Sequence, residues 1–128
     1  MIIDTSAIIA IIFRESGYRE LIDKMMEAQF LGVGTVTLAE TGIVLCARLE
    51  SKGKILLARF LQEAGIVQIP FGEDHWREAV SAYERFGRGR HPAKLNFGDC
   101  ISYATAKLAE QPLLFVGKDF SKTDLEKA

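Results

Sequence analysis

Apolar residues along this chain switch repeatedly between two spacings. Short continuous runs at Ile2-Ile3, Phe30–Val33, Ile66–Ile69 and Leu113–Val116 read as buried strands. Between them apolar positions recur at helical spacing. Ile8, Ile9, Ile11 and Ile12 follow Thr5-Ser6, which can cap a helix, and Ser16-Gly17 breaks the pattern. A second helix carries Leu21, Ile22, Met25 and Met26 on its inner stripe. Thr35 or Thr37 caps a long helix that runs to about Ser51, and Gly53 separates it from another ending near Ala64-Gly65. Pro70 closes the third strand. Glu73–Phe86 forms a helix with Trp76, Ala79, Val80 and Tyr83 on one face. A glycine-rich basic loop spans Gly87–Leu95, and Gly98–Glu110 is the last helix before a tail that is polar from Asp119.

This alternation predicts an α/β fold, with a mainly parallel sheet covered by helices on both faces. A chain of 128 residues suits one domain with a real core, and no repeat or interdomain linker interrupts it. The formal net charge of −1 excludes general polyanion binding, so a nucleic-acid partner needs a local basic patch. Cys46 and Cys100 lie in apolar helical stretches and read as free thiols in a reducing compartment. The run Ile8–Phe13 is too short to span a membrane and has no signal-peptide context, which points to a cytoplasmic protein.

Carboxylates sharpen this picture. Asp4 ends the first strand, Asp119 follows the last, and Asp99 sits where a helix begins. Ligands in open α/β folds bind outside the carboxyl ends of strands, so these acids can share one site. Each also has a plain structural reading: Asp4 as a cap, Asp99 as a first-turn acid facing the helix dipole, and Asp119 as a turn residue. Glu40 has Ile43, Val44 and Ala47 at i+3, i+4 and i+7, which predicts that it points inward. A capping box with Thr37 or a buried ion pair would also explain it. Glu15, Glu20, Asp23, Glu73, Asp74 and Asp124 read as solvated.

Clustered carboxylates form a hard-oxygen site suited to Mg²⁺ or Mn²⁺, and such a site serves phosphodiester hydrolysis. Arg88, Arg90 and Lys94 on the basic loop can track a phosphate backbone. His75 and His91 read as structural. Phe86 and Phe97 flank the loop, where core packing or base stacking would account for them.

Taken together, several segments resemble one family. They are Met1-Ile2-Ile3-Asp4-Thr5-Ser6-Ala7, Thr37-Leu38-Ala39-Glu40, the stretch from Gly87 to Cys100 containing Leu95-Asn96-Phe97-Gly98-Asp99, and the ending from Pro112 to Asp124. The chain resembles the PIN-domain ribonucleases, specifically the VapC toxins of prokaryotic type II toxin–antitoxin modules. The resemblance implies a single PIN domain over residues 1–128, a three-layer α/β/α sandwich. It implies Mg²⁺-dependent (or Mn²⁺-dependent) RNA cleavage by metal-activated water. Asp4 and Asp99 would be the metal ligands, Glu40 and Asp119 would complete the acidic pocket, and Thr5, Ser6 and Asn96 would support it. A homodimer and a cognate VapB-like antitoxin are also implied. One position departs from the pattern: Lys118 stands where relatives often carry an acid.

Two other readings compete. A catalytically weakened module of the same fold would bind RNA or a protein partner without cleaving. A phosphoacceptor signalling domain would share the length and fold class. It needs an aspartate after a central strand, however, and Ile66-Val67-Gln68-Ile69-Pro70-Phe71 offers none.

Overall fold

The computed structural model describes residues 1–128. Its elements are β1 (Ile2–Ile3), α1 (Thr5–Ile12), α2 (Tyr18–Glu27), β2 (Gly32–Gly34), α3 (Thr35–Leu49), α4 (Lys52–Glu63), β3 (Val67–Ile69), α5 (Glu73–Phe86), α6 (Phe97–Ala109) and β4 (Leu113–Leu114), followed by a 3₁₀ turn at Asp119–Lys122. The strands form one parallel sheet in the order β3-β2-β1-β4. The chain moves outward from β1 in one direction to reach β2 and β3, and in the other to reach β4. The topological switch point therefore lies between β1 and β4, where an open α/β sheet opens a crevice at its carboxyl end.

Side chains alternate across a strand, and that alternation builds two cores. Ile2 and Leu113 face a layer with Ala82, Phe86, Leu95 and Tyr103 of α5, α6 and the loop between them. Ile3 and Leu114 face the opposite layer with Ile8, Leu21, Leu45 and Leu57 of α1 to α4. These are the three layers expected from the alternation of strands and helices.

Several details differ from the sequence reading. The strands are two or three residues long, and all but the first are shorter than the apolar runs. Of the two cap readings, Asp4 and not Thr5-Ser6 caps α1: its carboxylate accepts the Ser6 N–H. Gly34 precedes α3 without a side-chain cap, so neither Thr35 nor Thr37 caps that helix. Gly53 is not the break between α3 and α4. The chain turns at Glu50 (φ 55°), and Gly53 lies inside α4, buried. A Cβ there would come within 2.6 Å of the Leu45 backbone carbon, so glycine lets the two helices touch. Met26 points outward, 80% exposed. Trp76, Val80 and Tyr83 of α5 are also exposed, while Ala79, Ala82 and Phe86 fill its buried face.

Both cysteines are free, with Cys100 buried and Cys46 half-buried. His75 and His91 have local structural roles, each accepting a nearby backbone N–H. No helix is long and apolar enough to cross a membrane.

Candidate active site

Asp4 leaves β1 and starts α1 at the sheet's carboxyl end, only 6% exposed. Both of its oxygens are held. Oδ2 accepts from the Ser6 hydroxyl at 2.6 Å and the Ser6 N–H at 3.1 Å, and Oδ1 accepts from the Ser102 hydroxyl at 2.5 Å. Ser6 in turn accepts the Val116 N–H at 3.0 Å, which ties the end of β4 to the same corner. Ser102 was missed in the sequence. Its only signal is a hydroxyl one turn after Asp99 in an otherwise buried helix. Thr37 and Thr41 line the neighbouring face of α3. Thr37 Oγ1 lies 3.4 Å from Ser102 Oγ, and Thr41 Oγ1 lies 2.9 Å from Thr5 Oγ1.

Glu40 is exposed, which corrects the expectation that it points into the core. The inward face of α3 is Thr37, Thr41 and Leu45, and Ile43 on the presumed inner stripe is 71% exposed. Glu40 still belongs to the site. Thr5 donates to its Oε1 at 2.7 Å, and a Cβ on Gly98 would come within 2.5 Å of its Oε2. Glycine at the start of α6 thus lets the Glu40 carboxylate lie against the first turn of that helix, next to the residue that precedes Asp99. No capping box forms between Thr37 and Glu40.

The capping box lies instead on α6. Asn96 Oδ1 accepts the Asp99 N–H at 2.9 Å, and Asp99 Oδ2 accepts the Asn96 N–H at 3.1 Å. Asp99 is 8% exposed. Burial is the main cause that pushes its carboxyl up to about 6, opposed by the Asn96 N–H and reinforced by the charges of Asp119, Asp4 and Glu40. The fields of three other acids therefore act on one buried carboxyl. Asp119 is exposed, at the start of the 3₁₀ turn, and is the first of these charges in size. Burial, with help from Asp99, also raises the neighbouring Cys100 thiol to about 11, which leaves it an inert packing residue.

No three acidic, histidine or cysteine side chains are arranged to hold a metal ion as they stand. Asp4 turns to Ser6 and Ser102, Glu40 to Thr5, and Asp99 to Asn96. The donor set is nonetheless all hard oxygen, and Mg²⁺ or Mn²⁺ fits that chemistry.

Arg88, Arg90 and Lys94 are exposed on the loop between α5 and α6. Arg90 lies over the Tyr83 ring, 5.4 Å from its centroid, and none of the three pairs with the acids. Phe86 is core, whereas Phe97 beside the acidic rim is 76% exposed. Lys118 is exposed next to Asp119.

The family model for the PIN domain matches residues 1–126. Ribonuclease VapC36 of Mycobacterium tuberculosis is 42% identical over 127 residues, covering 98% of this chain and 91% of its own. Ribonuclease VapC of Mycolicibacterium smegmatis is 39% identical over 125 residues, covering 98% and 97%. Among solved structures, the sarcin-ricin-loop-cleaving toxin VapC20 of M. tuberculosis superposes with a TM-score of 0.80 at 15% identity, covering 99% of this chain and 97% of its own. A toxin–antitoxin complex from Klebsiella pneumoniae gives 0.70 at 19% identity, covering 96% and 92%. At those identities the two structures speak to the fold alone.

Proposed function

The chain belongs to the PIN-domain family, among the VapC ribonucleases, and from that premise we propose that it is the endoribonuclease toxin of a type II toxin–antitoxin pair, formed as one PIN domain over residues 1–128 and acting in the cytoplasm. The observation that supports this reading is the joining of β1, α3 and α6 at the sheet's carboxyl end: Ser102 of α6 donates to Asp4, Thr5 donates to Glu40, and Gly98, next to Asp99, lies against the Glu40 carboxylate.

Asp4 and Asp99 would hold a divalent cation, with Glu40 and Asp119 at its rim. The cation, Mg²⁺ or Mn²⁺, would supply Lewis acidity and an activated water when bound. The remaining work belongs to the chain. Ser6 and Ser102 fix the direction of both Asp4 oxygens, and Thr5 fixes Glu40. Asn96 holds the first turn of α6 and, through its N–H, one oxygen of Asp99. Arg88, Arg90 and Lys94 would draw the RNA backbone toward an acidic pocket that otherwise repels it.

The partners follow from exposed apolar surface. Ile43, Trp76, Val80, Tyr83 and Phe97 form an apolar face on α3, α5 and the start of α6, and we assign it to a symmetric homodimer. The first two helices, with α4, line another depression of about 400 Å³, edged by Ile11, Ile22, Met26 and Phe60. An apolar segment of a VapB-like antitoxin fits there.

The test is cleavage of structured RNA by the purified protein with added Mg²⁺ or Mn²⁺. Chelation should abolish cleavage, and Asp4→Asn or Asp99→Asn should lower it about a hundred-fold or more. RNA binding without cleavage by the wild-type protein would select the weakened-module reading instead.

A further inference from the structure

Asp124, which reads as solvated in the sequence, is the most heavily bonded carboxylate outside the acidic rim. Its Oδ1 accepts from the Tyr103 hydroxyl at 2.6 Å, and its Oδ2 accepts from Lys107 Nζ at 2.8 Å, with Arg85 Nη2 at 3.5 Å. Tyr103 is fully buried in α6, so its hydroxyl has a fixed place. Arg85 donates to the same hydroxyl at 3.3 Å and lies over the Phe86 ring, 4.6 Å from its centroid. Although burial opposes it, the bonds from Lys107 and Tyr103 hold the Asp124 carboxyl down at about 2. One ionised tail residue is thereby joined to both α5 and α6.

Asp124 lies on the same segment of chain as Asp119, just past the 3₁₀ turn. Upstream, Val116 is tied to Ser6, and Gly117 takes a φ of 102° as the chain turns away from the sheet. Downstream, Phe120 is buried edge-on against Phe115 at 4.9 Å, and the Thr123 hydroxyl and N–H both bond to its carbonyl. Asp119 lies between these anchors, exposed, and its own carboxylate makes no hydrogen bond that would fix it. The place of the fourth acid is thus set by neighbours along the chain. The strongest of those, carrying three charge-assisted or buried donors, is five residues on.

We propose that Asp124 is a positioning residue: clasped by Tyr103, Lys107 and Arg85, it holds the 119–122 turn so that the Asp119 carboxylate faces Asp99. This rests on the metal-site reading above. It adds a residue that touches neither metal nor substrate but sets how tightly the site takes its cation.

The test uses the full chain in three variants, Asp124→Ala, Tyr103→Phe and Asp119→Asn, together with the Asp124→Ala/Asp119→Asn double variant. Hydrogen exchange is measured on metal-free protein and Mn²⁺ affinity by calorimetry. Losing hydrogen bonds to a charged group should speed exchange at the Ser121 and Thr123 amides about ten-fold in Asp124→Ala. Tyr103→Phe, the gentler change, should give a smaller increase at the same amides. Mn²⁺ affinity should fall in Asp124→Ala but fall no further when that change is added to Asp119→Asn, because the clasp acts only through Asp119. Unchanged exchange at residues 119–123, or an additive loss of Mn²⁺ affinity in the double variant, would overturn the proposal. Wild-type protein that binds no Mn²⁺ would overturn the metal-site reading, while the exchange arm still decides whether Asp124 holds the turn. If Asp124→Ala does not fold, exchange in Tyr103→Phe decides the same point.

Discussion

Burial and three neighbouring carboxylates give Asp99 an elevated pKa, and that shift has a definite signature in stability. The folded protein favours the neutral acid. No penalty exists below the ordinary carboxylate range near 3.8; it grows as the pH rises to about 6 and is constant above. Metal-free protein should therefore lose stability between about pH 4 and pH 6, on the order of 3 kcal/mol from this group. Asp99→Asn should flatten that part of the profile and raise the melting temperature at pH 7. A profile unchanged by the substitution would mean that Asp99 is not the group under strain. Asp124 acts in the opposite sense and in another window. Its depressed carboxyl adds stability above the ordinary range that is lost as the pH falls toward 2. Gly98→Ala makes a separate prediction. A Cβ would displace the end of Glu40, which is flexible, so the fold should survive while RNA cleavage falls. Equal loss of stability and activity would count against a specific effect on Glu40.

At the scale of elements, α3 is where the sequence pattern misleads. Its apolar residues Ile43 and Val44 suggest an inner stripe, yet the buried face is Thr37, Thr41 and Leu45. Hydrophobic periodicity records which face avoids water, not whether the chain's own core or a partner covers it. Two threonines can face inward because their hydroxyls bond to Thr37 O, Thr5 and Ser102 within the fold. The contact between α3 and α4 depends on a single absent Cβ. Gly53→Ala should force backbone apart at Leu45 and Cys46 and destabilise the protein by roughly 1–3 kcal/mol, read as a drop in melting temperature. A variant as stable as wild type would show that the two helices can shift apart without cost.

For the whole molecule, the decisive feature is the unpartnered apolar face shared by α3, α5 and the start of α6. Ile43→Lys or Val80→Lys should convert the proposed dimer to monomer in light scattering, leaving the circular dichroism spectrum unchanged because neither side chain supports the core. A wild-type monomer at micromolar concentration would remove the dimer assignment.

What the sequence determined by itself is the alternation of strands and helices, the three layers, and the presence of Asp4 and Asp99 where elements begin and end. Those features follow from local rules: apolar period, turn formers and cap chemistry act over a few residues. Tertiary structure alone decided which way Glu40 points, that Ser102 donates to Asp4 from the other end of the chain, and that Asp124 is clasped and not solvated. Each of these depends on residues from different elements meeting in space. Period and propensity carry no information about such meetings, because a hydroxyl or carboxylate reads the same in the chain whether its partner is water or a side chain ninety residues away.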